Sequence, residues 1–109
     1  MSIPVALADL PEVVARFRSS ALLVTTASDG PPHLASVAVT FEHDTLTMRA
    51  GRTTRANAEA RPDVALVWSG SIDDEYCLIV DATAIDATAE PLAVRATSAV
   101  LHRLASEAR

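Results

Sequence analysis

No lysine occurs in this chain; all nine basic residues are arginine. Cys77 is the only cysteine, which excludes an intrachain disulfide and a thiolate metal cluster and points to a reducing, cytoplasmic location. Histidine is scarce and scattered at His33, His43 and His102, with no paired spacing or neighbouring carboxylate of the kind a metal site requires. Long apolar runs are missing too: none approaches the roughly 20 residues a spanning helix needs. The opening MSIPVALADLPEVVARF has no basic segment ahead of an apolar one, so neither a secretion signal nor a membrane partner is expected. A net charge of -5 argues against a nucleic-acid partner, because affinity for a polyanion comes mostly from basic side chains neutralising phosphates.

What remains is a chain of 109 residues, half of them apolar, long enough for one core and one domain over 1–109. Ala8 to Ser20 is expected to be helical: Asp9 can cap it, Pro11 suits an early position, and Leu10, Val13, Val14 and Phe17 recur at helical spacing, with Arg16 and Arg18 on the polar side. Ala21 to Ala27 is short and β-branched and reads as a buried strand. Asp29-Gly30 then supplies hairpin chemistry ahead of two prolines. From His33 to Phe41 the residues alternate, with His33, Ala35, Val37, Val39 and Phe41 on one face. A polar turn at Glu42 to Asp44 leads back through a strand from Thr45 to Ala50. A helix over Arg55 to Arg61, capped by Thr53 or Thr54, carries an Arg55–Glu59 pair one turn apart and ends before Pro62. Strands follow at Val64 to Trp68 and, after a turn, at Tyr76 to Thr88, where Asp81 is out of place in a simple core. Pro91 opens a last predicted helix with a stripe of Ala93, Ala96, Val100, Leu101 and Leu104. Neighbouring antiparallel pairing of these elements gives a small, mainly β barrel with peripheral helices.

One loop stands out chemically. Arg49-Ala50-Gly51-Arg52-Thr53-Thr54-Arg55 packs three arginines, two hydroxyls and a glycine between a strand and a helix start. A helix N-terminus offers unpaired N–H groups and partial positive charge, so an anion is stabilised there; Arg52 and Arg55 add charge, and Gly51 lets the backbone approach. The bland alternative is solvated arginines beside a threonine cap. Other candidates are weaker. His33, after two prolines at a strand start, could face a site; His43 reads as solvated. Asp73-Asp74-Glu75 reads as a solvated acidic turn, Cys77 as a small hydrophobe with no histidine close in sequence, and Ser28 and Ser36 lack a nucleophile-elbow context.

With these residues in view, the chain resembles the pyridoxamine 5'-phosphate oxidase-like superfamily of flavin-binding split barrels. The likeness is carried by LLVTTASDGPPHLASVAVTF, LTMRAGRTTRAN, ARPDVALVW and CLIVDATAIDA in that order, and covers Leu10 to Thr88. It implies an antiparallel split β-barrel that forms a homodimer, with cofactor sites at the subunit interface holding FMN or, in some branches, a deazaflavin coenzyme or heme. By resemblance Thr54 and Arg55 match the Ser-Arg phosphate-binding pair, Arg49 and Ala50 the strand-end residues beside phosphate and ribityl chain, and Ser36 and Val37 the strand whose backbone lies along the ring. Asn57 matches an asparagine of the following helix. Trp68 is left open between a ring wall, a dimer contact and core packing. Two positions depart from the pattern: Ala56 stands where a basic residue often follows the pair, so Arg52 or Arg49 must supply the second charge, and Asp81 stands where a glycine is common.

The resemblance implies an FMN-dependent oxidoreductase acting on a small organic molecule, with no catalytic acid or base identifiable. A carrier or sensor of flavin, deazaflavin or heme, and a cofactor-free dimeric module, are the alternatives.

Overall fold

A computed structural model describes residues 2–17, 20–70 and 75–105. Arg18 and Asp73-Asp74, placed above on a helix face and in an acidic turn, lie outside those residues. Seven strands and two helices follow one another as β1 (Ser2–Pro4), a 3-10 turn (Leu7–Asp9), α1 (Leu10–Val14), β2 (Ser20–Thr26), β3 (Pro32–Glu42), β4 (Thr45–Met48), α2 (Arg52–Ala60), β5 (Asp63–Trp68), β6 (Tyr76–Asp86) and β7 (Leu92–Arg103).

All pairings are antiparallel, in the order β1-β7-β4-β3-β2-β5-β6, and a β7–β6 pairing closes six of the strands into a barrel. β7 makes closure possible because one of its edges serves two partners. Leu92 to Arg95 pair with β4, and Val100 to His102 pair with β1, while the other edge follows β6. Alternation sorts the side chains as a half-buried sheet requires. Leu23, Leu66, Trp68, Leu78, Val80, Leu92 and Val94 are fully buried, each aliphatic side chain contributing about 1.5–3 kcal/mol by leaving water. The expected inward set of β3 holds, with Val37 buried and its neighbours Ser36 and Ala38 exposed. The first hairpin turns at Gly30, at φ 140 and closed by Gly30 N–H donating to Ala27 C=O at 3.0 Å.

The predicted last helix is a strand. It carries a β-bulge: Asp81 pairs with Ser98 and Ala82 with Ala96, so Thr97 is left over. Inward positions therefore run Leu92, Val94, Ala96 and then Ala99, Leu101, and Ala93 and Val100 of the predicted stripe fall on the other face of the strand. The segment is a strand because it fills the gap between β6 and β4, whose edges would otherwise be unpaired. The other corrections are smaller. The first helix is a 3-10 turn and five α-helical residues rather than a run to Ser20, and Asp9 makes no side-chain cap, although Leu10 and Val13 are buried as the spacing required. β6 ends at Asp86, short of Thr88. Asp81 is accommodated because it faces outward, where its carboxylate accepts a hydrogen bond from the Ser98 hydroxyl at 3.0 Å.

Candidate functional site

β4 stops at Met48, opposite Leu92 where β7 begins, while its other neighbour β3 runs on toward Pro32. Extending the registers Val39–Met48 and Met48–Leu92 brings Arg49 and Ala50 alongside Ala38 and Val37 on one side and Glu90 on the other. The chain crosses this gap as a loop and enters α2, whose buried face of Thr54, Asn57 and Ala58 rests against the barrel. Asn57 Nδ2 donates to Thr25 Oγ1 of β2 at 3.2 Å, and both residues are buried. This is a polar pin between helix and sheet, so that Asn57 amide N–H is directed into the packing.

The helix begins three residues earlier than expected. Gly51, with φ -67 and ψ 170, takes the N-cap position, and neither threonine caps it. Arg55 N–H is the first to bond within the helix, donating to Gly51 C=O at 3.0 Å, so the N–H groups of Arg52, Thr53 and Thr54 point out of the first turn without an intrahelical acceptor. Thr53 is exposed and Thr54 buried.

The arginines divide into two kinds. Arg49 lies 3.8 Å from Glu90 Oε2 with an exposed side chain. Arg55 does not form the expected pair with Glu59: its Nε donates to Ala50 C=O at 3.1 Å, folding the side chain back across the loop. Among the described residues, the ion pairs are Arg49–Glu90 and Arg95–Asp44, so Arg52 and Arg55 carry charge with no carboxylate partner.

Glu90 is the residue that sequence reasoning missed. Its Oε1 accepts the Ala50 N–H at 2.6 Å from 40 positions away, just before the cis Glu90–Pro91 peptide. Nothing local to Glu90 marks it; only the β4–β7 register could have done so.

The remaining candidates separate. Val37 points into the core and Ser36 outward, as neighbours on a strand must. Trp68 is fully buried inside the barrel, which settles it as core. Cys77 is paired across strands with His102, a proximity the sequence spacing hid, but His102 Nδ1 lies 3.4 Å from Ser2 Oγ instead of engaging the thiol. His43, at φ 57, is an exposed turn residue. Among the described residues, no three His, Cys, Asp or Glu side chains gather in a way that could hold a metal ion, and no helix is long and apolar enough to cross a membrane.

A closed six-stranded antiparallel barrel, with a helix entering at the gap beyond a short strand, is shared by several solved structures. The fold is a split barrel, and the structures it matches are pyridoxamine 5'-phosphate oxidase-like split-barrel proteins. An F420 reductase matches this split barrel with a TM-score of 0.61 and 16% identity, over 86% of this chain and 93% of that one. HutZ, the heme storage protein from Vibrio cholerae, matches with a TM-score of 0.57 and 13% identity, over 86% and 91%. General Stress Protein 26 from Bacillus anthracis matches with a TM-score of 0.59 and 16% identity, over 90% and 98%. No protein-family model matches the sequence, and no curated protein does. At these identities the likeness is one of fold.

Proposed function

We propose that this split barrel binds FMN through the Arg49–Arg55 loop as a homodimer and serves as an oxidoreductase for a small organic molecule. The observation that carries the reading is the pairing state of the loop: among the described residues Arg52 and Arg55 contact no carboxylate, and they stand at the first three N–H groups of α2, which have no intrahelical acceptor. That donor set fits a phosphate monoester, which is dianionic near neutral pH and accepts several charge-assisted hydrogen bonds. The Nε contact to Ala50 C=O fixes one edge of the Arg55 guanidinium and leaves its other N–H groups for the phosphate. Bound flavin supplies hydride or electron transfer, and the chain supplies position and charge.

A second copy is favoured by the outer barrel face. Cross-strand partners Ser36–Leu22–Val67–Ile79 and Leu34–Val24–Ala65–Asp81 form two adjacent rows over β3, β2, β5 and β6. Six of these eight side chains are apolar, and Leu22 and Leu34 are 46% and 60% exposed, a surface of the kind that marks an interaction site. Ser36 lies in these rows, so a ring laid along its strand would reach the face that a partner covers.

A carrier or sensor of flavin, deazaflavin or heme is the second reading, favoured because the one carboxylate at the loop, Glu90, is already engaged by Ala50 and Arg49. The F420 reductase and the heme storage protein on the same fold keep both cofactors in play. The visible spectrum of protein purified from its native host separates flavin from heme, and turnover with reduced nicotinamide and a generic acceptor separates enzyme from carrier. The central test is an FMN titration of Arg55→Ala followed by flavin fluorescence. Loss of a charged hydrogen-bonding partner predicts a Kd raised about 10- to 100-fold, with the oligomeric state unchanged by light scattering. An unaltered Kd would sink the reading.

A further inference from the structure

Glu90 does more than close a strand end. A backbone N–H needs only an acceptor, and a neutral glutamine oxygen would satisfy Ala50 as well as a carboxylate does. The negative charge is thus unnecessary for the hydrogen bond at 2.6 Å, and it lies 3.8 Å from Arg49 at the entrance of the most positive loop in the chain. Of the three arginines in that loop Arg49 approaches this carboxylate, and among the described residues Arg52 and Arg55 contact none.

We infer that Glu90 is a specificity-determining residue, matching the charge of the loop to a single phosphate monoester and disfavouring more highly charged anions. The inference rests on the phosphate-binding reading above. A monoester carries about -1.5 to -2 at neutral pH, which two free guanidinium groups balance. A pyrophosphate group bearing roughly one further negative charge meets the same two cations and the Glu90 carboxylate beside them. Repulsion between that carboxylate and a bound anion scales with the charge of the anion, so Glu90 penalises the larger one more. Removing the charge also frees Arg49 as a third cation.

The experiment compares the full chain with Glu90→Gln and Glu90→Ala, using FMN, inorganic phosphate and inorganic pyrophosphate as probes at low salt. Glu90→Gln keeps an acceptor for Ala50 N–H and removes the charge. It is expected to tighten phosphate and FMN binding about threefold and pyrophosphate binding about fivefold to tenfold, with both gains shrinking as salt is added. Glu90→Ala loses the acceptor too, and its pyrophosphate-to-phosphate affinity ratio should rise as in Glu90→Gln even where both affinities fall through loosening of the loop. A ratio unchanged in both variants overturns the inference and leaves Glu90 as a strand-end fastener. If the wild-type chain binds FMN and Arg55→Ala does not, that negative result concerns Glu90 alone. If neither wild type nor Glu90→Gln binds any of the three probes, the phosphate reading falls and the inference falls with it.

Discussion

Arg55 and Glu90 hold the same residue by opposite polar groups: Glu90 Oε1 accepts the N–H of Ala50 at 2.6 Å, and Arg55 Nε donates to its C=O at 3.1 Å. The loop is thereby tied to β7 on one side and to α2 on the other. Lysine at position 55 would keep the charge but not the planar fork that can hold Ala50 and a phosphate together. Arg55→Lys is therefore expected to lose most of the FMN affinity that Arg55→Ala loses; a near wild-type Kd for Arg55→Lys would show that charge alone suffices.

The Thr25–Asn57 pin gives a stability prediction. Asn57→Ala leaves the buried Thr25 hydroxyl without this donor and opens space under α2, at a cost of about 1–3 kcal/mol. Urea unfolding, followed by fluorescence of the single, fully buried Trp68, reads the change directly. In the Thr25→Val, Asn57→Leu double variant the loss should be smaller than the sum of the single losses, because no buried polar group is orphaned.

Thr97 is the bulged residue that reverses the parity of β7. Its deletion leaves Ala96 opposite Ala82 and brings Ser98 next to it opposite Asp81, so Ala99 and Leu101 keep facing inward and the β6–β7 ladder runs on without this bulge. The deletion variant is expected to keep a cooperative unfolding transition and the far-ultraviolet dichroism of a β-fold, and loss of that transition would refute the parity argument.

The outer apolar face is tested with charge. Leu22→Glu and Leu34→Glu place carboxylates on exposed positions, so each monomer should remain folded while association is lost. Sedimentation at matched concentrations distinguishes a monomer from an unaffected dimer, and the latter would move the interface elsewhere.

Asp86 carries a pH signature. The hydroxyl and N–H of Thr88 donate to its Oδ1 at 2.9 Å and 3.1 Å and hold its carboxyl below the ordinary 3.8. A folded-state pKa below the unfolded one means that the contribution is present at pH values above 3.8 and disappears as pH falls through the lowered folded value. Asp86→Asn should therefore differ from wild type in stability at pH 7 and converge with it in strong acid. A difference that persists undiminished at the acid end would place its origin elsewhere.

Much of the barrel was legible in the sequence because two-residue alternation in β3 and β4 is a local consequence of burying one face, and Asp29-Gly30 and Pro62 mark breaks that any such chain must make. The loop was legible for a similar reason, since density of arginine beside a helix start is a local property. Three features were not. The β7 segment looked helical because its apolar residues lie on both faces of the strand and several of them therefore fall three or four positions apart, and only pairing with β6 and β4 decides between helix and strand. Gly51 rather than a threonine became the N-cap because α2 must present Thr54, Asn57 and Ala58 to the barrel, which fixes where its first turn starts. The charge state of the loop was hidden as well. Sequence supplied three neighbouring arginines, but which of them stays uncompensated depends on Glu90, brought from 40 positions away by the antiparallel register of β4 and β7. Local patterning thus determined most of the elements and the concentration of arginine and hydroxyl groups in the loop. Barrel closure decided the last strand, the compensation of Arg49 and the freedom of Arg52 and Arg55, because those depend on contacts that exist only once distant strands pair.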